Sequence, residues 1–206
     1  MHWLWAADGM VFHAIYGTPR GALPRGLASL LLRIGTGGAL WLILFALLFL
    51  GGGRRGRRVA LTGALAVLLA HAAAVWGLQG LFQRAGPSAT YPGVTLLARW
   101  SGPFSFPAGR VAQAFAAAPL LTRGSGAGPV VVWSLVIGVA YASIYIGASF
   151  PTDAAAGAAV GLACAGGAVW LLGDPFRRRA GLLLPLPRRQ RHPAARTGGR
   201  PRGAPR

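Results

Sequence analysis

Five apolar stretches, each closed off by glycine, proline or arginine, dominate this sequence and leave few folds open to it. A helix needs about 17 to 25 apolar residues to cross ~30 Å of hydrocarbon, since each residue advances the chain by ~1.5 Å. Residues 34–50, 59–82, 129–150 and 154–173 meet that length. Residues 107–121 are shorter and carry Arg110 and Gln113 early on. Pro107 at their start and the glycine-rich segment after them still bound a helix, which is counted as a fifth span. Residues 3–16 are too short to cross and are rich in Trp, Phe and Tyr, whose half-polar rings favour the membrane–water boundary. They are expected to form a helix lying in the interface. Backbone polar groups in lipid must be satisfied within their own segment, so the expected fold class is all-α. It is a polytopic membrane helix bundle of about five transmembrane helices plus an N-terminal interfacial helix.

The charged residues support this reading. All 21 basic residues are arginine, against three acids, Asp8, Asp153 and Asp174. A net charge of +18 would suit nucleic acid if it lay on one face of a soluble domain, but here the arginines sit between apolar runs. Nucleic acid is therefore not an expected partner, whereas membrane lipid is. Arginines near span ends favour the cytoplasmic side. If the first span runs inward, fifteen arginines fall inside and six outside, and the preference survives when the far tail is left out of the count. The segments 83–106 and 150–153 then face outward.

Three regions follow: an interfacial helix and linker over 1–33, a transmembrane domain over 34–173, and an arginine-rich tail over 174–206. The tail has ten arginines and few large apolar residues beyond Leu186. It is expected to be disordered and cytoplasmic, drawn to anionic headgroups. The N-terminus has no basic segment ahead of an apolar core and does not read as a cleavable signal. Cys164, the only cysteine, permits neither an intrachain disulfide nor a multi-cysteine zinc pattern and is read as a small packing residue. No metal or cofactor is expected.

Three short stretches near helix ends carry the sharpest signal. The first is Leu78-Gln-Gly-Leu-Phe-Gln-Arg-Ala-Gly-Pro, the second Phe104-Ser-Phe-Pro-Ala-Gly-Arg-Val-Ala-Gln, and the third Ala142-Ser-Ile-Tyr-Ile-Gly-Ala-Ser-Phe-Pro-Thr-Asp. In order and spacing they resemble the three signatures of the type 2 phosphatidic acid phosphatase and vanadium haloperoxidase family, over roughly residues 78–161. Those signatures are a lysine, six residues, then Arg-Pro; Pro-Ser-Gly-His; and Ser-Arg, five residues, His, three residues, Asp. The resemblance implies phosphoryl transfer to the last histidine, oriented by the aspartate. The earlier histidine protonates the leaving oxygen, while the lysine and arginines hold phosphate.

The residues this chain keeps are those that shape backbone: Pro87, Pro107, Gly109, Gly147 and Pro151, with Asp153. The residues it lacks are those that do chemistry. Gln79 stands at the lysine place, Gly86 at the first arginine, Ala108 at the serine, Arg110 at the acid histidine, Ser143 at the second arginine and Ser149 at the nucleophilic histidine. Arg84, two positions before Gly86, offers a nearby cation. A serine nucleophile needs a base, for which Asp153 is the candidate, and an arginine with a pKa above ~12 cannot serve as a general acid. The expected function is a catalytically inactive member of this fold. Its outward-facing pocket would bind a phospholipid or polyprenyl phosphate headgroup through Arg84, Arg110 and the backbone N–H of Gly109.

The same residues leave two other readings open: a divergent phosphatase using Ser149 and Asp153, and a ligand-free membrane scaffold acting through its basic tail. Several residues also have plainer uses. Asp153 can simply cap the following helix, Arg110 can snorkel to water, and Gly157 with Gly161 can reflect composition or a close helix contact. His71, mid-span, is expected to make a helix–helix hydrogen bond.

Overall fold

The computed structural model describes residues 2–17, 38–96, 104–124 and 128–173. The expected linker and the arginine-rich tail lie outside them. Helix α1 is His2–Tyr16 and α2 is Ala39–Gly51. Helix α3, Arg54–His71, continues through a π-helical segment, Ala72–Leu78, into the short α4, Gln79–Phe82. A single turn, α5 (Pro87–Thr90), precedes α6 (Gly109–Gly124), α7 (Pro129–Tyr145) and α8 (Pro151–Leu172). There is no strand among the described residues.

The run beginning at Arg54 and helix α8 are long and apolar enough to cross a membrane, and α2 and α7 are shorter apolar helices. Large apolar side chains cover the outside, with Trp170 82%, Val130 77%, Trp76 76% and Leu50 76% exposed. Water would not tolerate that much exposed apolar surface around a bundle, but lipid does, and the chain is a membrane protein.

Helix α6 is the central element, packed most extensively on α8 and α3. Its residues are small: Ala112, Ala114, Ala116, Ala117 and Ala118 are all fully buried. Helix α8 answers with Gly157 and Gly161. A Cβ on Gly157 would stand 2.5 Å from the carbonyl oxygen of Ala108, and one on Gly161 would collide with that of Ala112. The glycine pair is therefore a dedicated contact that brings two backbones together. Away from α6, Trp41 and Phe45 of α2 are buried against α3, where Gly63 makes room for the Phe45 ring.

Several boundaries differ from the sequence expectation, each for a local reason. Arg54, Arg55, Arg57 and Arg58 form the first turns of α3 rather than a loop, since arginine is a good helix former and only Gly52 and Gly53 are needed to turn the chain. Helix α6 runs on past Leu121 to Gly124, with Pro119 inside it. Helix α7 stops at Tyr145 instead of reaching Phe150, because the chain reverses through Gly147, whose φ of 81° suits only glycine without strain. Helix α8 starts at Pro151, the position where a missing N–H costs nothing.

Helix α1 is more than a surface anchor. Phe12 is fully buried in a small cluster with Val94, Ala108, Val111, Ile144, Phe150 and Ala154. Its ring packs edge-on to Phe150 at 5.6 Å and is stacked on Tyr91 at 6.1 Å. Cys164 is half-buried and packs beside the main core.

Candidate functional site

The three signature-like stretches converge where α6 and α8 begin and α7 ends. Ala108 N–H donates to the carbonyl of Asp153 at 3.0 Å, joining the second stretch to the third. Gln79 Nε2 donates to the carbonyl of Pro107 at 3.0 Å, joining the first to the second. Gly86 lies against the third stretch, its notional Cβ 3.1 Å from the carbonyl oxygen of Ala148. Gly109 packs on Val75 and lies near Gln79. Ser105 N–H donates to the carbonyl of Arg84 at 2.9 Å, which ties the 83–86 segment to the approach to α6. Each bond satisfies a backbone group that would otherwise be buried without a partner.

Gln79, Ala108, Arg110, Ser143, Ser149 and Asp153 are all buried. The two serines face each other, with Oγ to Oγ 3.1 Å, and Ser149 N–H reaches the carbonyl of Ser143 at 3.3 Å. Both hydroxyls are fully buried. Two small neutral hydroxyls, hydrogen-bonded to each other, thus occupy the places at which the resemblance puts a guanidinium and an imidazole. Arg110, in the first turn of α6, is 8% exposed, so its charge is held inside the bundle rather than at its surface.

Asp153 does two jobs at once. Its Oδ2 accepts the Phe150 N–H at 2.9 Å, which closes the start of α8. The residue preceding the helix is thus Phe150, and Asp153 sits three places into the helix rather than before it. Its Oδ1 pairs with Arg84 Nη1. With both oxygens engaged, and Ser149 bonded to Ser143, no hydrogen bond between Ser149 and Asp153 occurs among the described residues.

Arg84 is the hub of this cluster. Beyond Asp153, its Nη2 donates to Asp8 Oδ2 at 2.7 Å and its Nη1 to Thr152 Oγ1 at 2.8 Å. The guanidinium carbon lies 4.4 Å from the centre of the Phe150 ring, a cation–π distance. Asp8 reaches in from α1. Its Oδ1 accepts the Thr152 N–H at 3.0 Å and its Oδ2 the Thr152 hydroxyl at 2.6 Å. The side chains of Asp8 and Asp153 are 2% and 0% exposed, and that of Arg84 is 14% exposed.

Asp8 and Thr152 were not among the residues singled out from sequence. A signal existed: Asp8 is one of only three acids in a chain of 21 arginines, and it interrupts an otherwise apolar helix. A carboxylate is tolerated there only if a cation meets it. His71 lies away from the cluster, its Nδ1 meeting Gln113 Nε2 between α3 and α6, the interhelical bond expected of it.

No protein-family model matches the chain, and no curated protein matches it by sequence. Solved structures do. Aquifex aeolicus LpxE superposes with a TM-score of 0.66 at 24% identity, over 78% of this chain and 93% of that one. The first transmembrane PAP2 type phosphatidylglycerolphosphate phosphatase from Bacillus subtilis superposes with a TM-score of 0.64 at 18% identity, over 86% of this chain and 90% of that one. Identity this low speaks to architecture alone, and the architecture is that of the type 2 phosphatidic acid phosphatases.

Proposed function

We propose that this protein is a catalytically inactive form of the lipid-phosphate phosphatase fold that holds the phosphate of a phospholipid or polyprenyl phosphate at the outer face of the cell membrane. The observation that carries the reading is the Ser143–Ser149 hydroxyl pair. A phosphoryl acceptor must be nucleophilic near neutral pH, and a serine becomes so only beside a base. Ser149 is bonded to another hydroxyl, and the carboxylate nearest in sequence is engaged by Arg84 and Phe150 N–H. Arg110, in place of an acid imidazole, keeps its proton at any physiological pH and cannot hand one to a departing alkoxide.

Two guanidinium groups, Arg84 and Arg110, lie at this end of the bundle, the first of them paired with Asp8 and Asp153, and guanidinium groups match phosphate geometry well. With five helices crossing the bilayer and the arginines in the first turns of α3 on the cytoplasmic side, the positive-inside preference favours a site at the outer leaflet and a cytoplasmic arginine-rich tail. The test is phosphate release from phosphatidate or undecaprenyl pyrophosphate by the purified chain. The expected result is no release above that of a Ser149→Ala variant, together with lipid-phosphate binding that is lost when Arg84 and Arg110 are both changed to alanine. Serine-dependent hydrolysis by the unmodified protein overturns the proposal, and so does binding indifferent to both arginines.

A further inference from the structure

We infer that Asp8 is an internal ligand of the anion site, so that α1 acts as a strap whose carboxylate a phosphate monoester must displace. This rests on the headgroup reading above and adds how access to the site is controlled.

The argument starts from what surrounds the Asp8 carboxylate. It is held by a guanidinium N–H of Arg84 at 2.7 Å, a main-chain N–H in the first turn of α8 at 3.0 Å and the Thr152 hydroxyl at 2.6 Å. A guanidinium, a helix-start amide and a hydroxyl are the donors that phosphate oxygens take in proteins. Here a side chain supplied from elsewhere in the sequence fills them, 144 residues away from Thr152.

Charge makes the competition strong. Arg84 already pairs with Asp153, and with Asp8 added the cluster formally holds two carboxylates to one guanidinium. An incoming phosphate would face that excess of negative charge while Asp8 stays seated, so the two anions exclude one another. The strap also has an apolar anchor: Phe12 is fully buried with Ile15 and Tyr16 packed beside it, while Met10 and Val11 are 68% and 49% exposed.

The test uses the full chain in detergent micelles and two probes: inorganic phosphate, and phosphatidate carried in the micelles. Isothermal titration is run on the wild type, on Asp8→Asn, and on Asp8→Asn combined with Arg84→Ala. Asp8→Asn should bind at least one probe about tenfold more tightly than wild type, the order expected when a buried like charge is removed from beside an anion. Adding Arg84→Ala should abolish the gain. A gain confined to phosphatidate makes the natural ligand a lipid headgroup, and a gain shared by inorganic phosphate makes it the phosphate group itself. Equal affinity in wild type and Asp8→Asn overturns the strap while leaving the headgroup reading intact. No binding by any form removes both.

A measurement on the unmodified protein guards against a variant that misfolds. Saturating phosphatidate should lower the hydrogen-exchange protection of α1 amides several-fold while leaving α6 unchanged. Unaltered α1 protection at saturation overturns the inference.

Discussion

Two carboxylates sharing one half-buried guanidinium should be strongly coupled, and a double-mutant cycle on Asp8 and Asp153 measures by how much. Changing either to asparagine removes charged hydrogen bonds worth about 1.5–3 kcal/mol. Each single change also relieves repulsion between the two carboxylates and leaves Arg84 with one anion, so a net cost of about 1–2 kcal/mol is expected. Asparagine at 153 can still accept the Phe150 N–H, which confines the loss to the ion pair. The double variant differs in kind. Arg84, whose side chain is only 14% exposed, loses both carboxylates, and the one remaining acidic side chain in the sequence is Asp174. A buried charge stripped of its partner costs about 3–5 kcal/mol. The double loss should therefore exceed the sum of the singles by about 1–3 kcal/mol, the range seen for residues in one network. Reversible unfolding in mixed micelles, titrated with a denaturing detergent and followed by helicity, reads these differences. Additivity within about 0.5 kcal/mol would show that Asp8 and Asp153 do not act through a shared cation.

The helix contacts and the membrane reading make further predictions. Gly161→Leu should destabilise by about 1–3 kcal/mol or more, since its side chain would be driven into the backbone of α6, whereas Gly166→Ala, with nothing within 4 Å, should be neutral or slightly stabilising in the same unfolding assay. Gln79→Leu should cost about 1–3 kcal/mol by leaving the buried Pro107 carbonyl without its donor, and the isosteric Gln79→Glu should not restore it. In single-tryptophan variants reconstituted with brominated lipids, Trp76 and Trp170 should be strongly quenched and the fully buried Trp41 should not. Equal quenching of all three would refute the assignment of the lipid-facing surface.

The helices were legible in the sequence because apolar length and Gly/Pro punctuation are local properties. The second stretch shows this: Pro107 and Gly109 announced a helix start, and α6 begins at Gly109. The convergence of Gln79, Ala108, Ser149 and Asp153 was legible for a different reason, since the order and spacing of three motifs stand in for contacts between distant segments. What sequence could not give was which groups meet Asp8. Its partners Arg84 and Thr152 lie 76 and 144 residues away, and no motif spacing connects α1 to either. The choice between a capping and a site role for Asp153 was likewise open, because a carboxylate has two oxygens and here each is used for one of them. The end of α7 was misjudged because hydropathy continues through Ile146 and Ala148, whereas the turn depends on the φ of a single glycine.

The π-helical segment between His71 and Gln79 sets the rotational phase of one of these residues relative to the other. Below it, His71 meets Gln113, and above it, Gln79 meets the Pro107 carbonyl, so one continuous run of chain engages α6 and its approach at both ends. Each residue of an α-helix turns the chain by about 100°. Shortening Ala72–Leu78 by one residue would keep the lower engagement in register and swing Gln79 about a quarter-turn off its acceptor. The wider winding therefore works as a spacer, letting a single rod address two targets that regular α-helical periodicity would not line up.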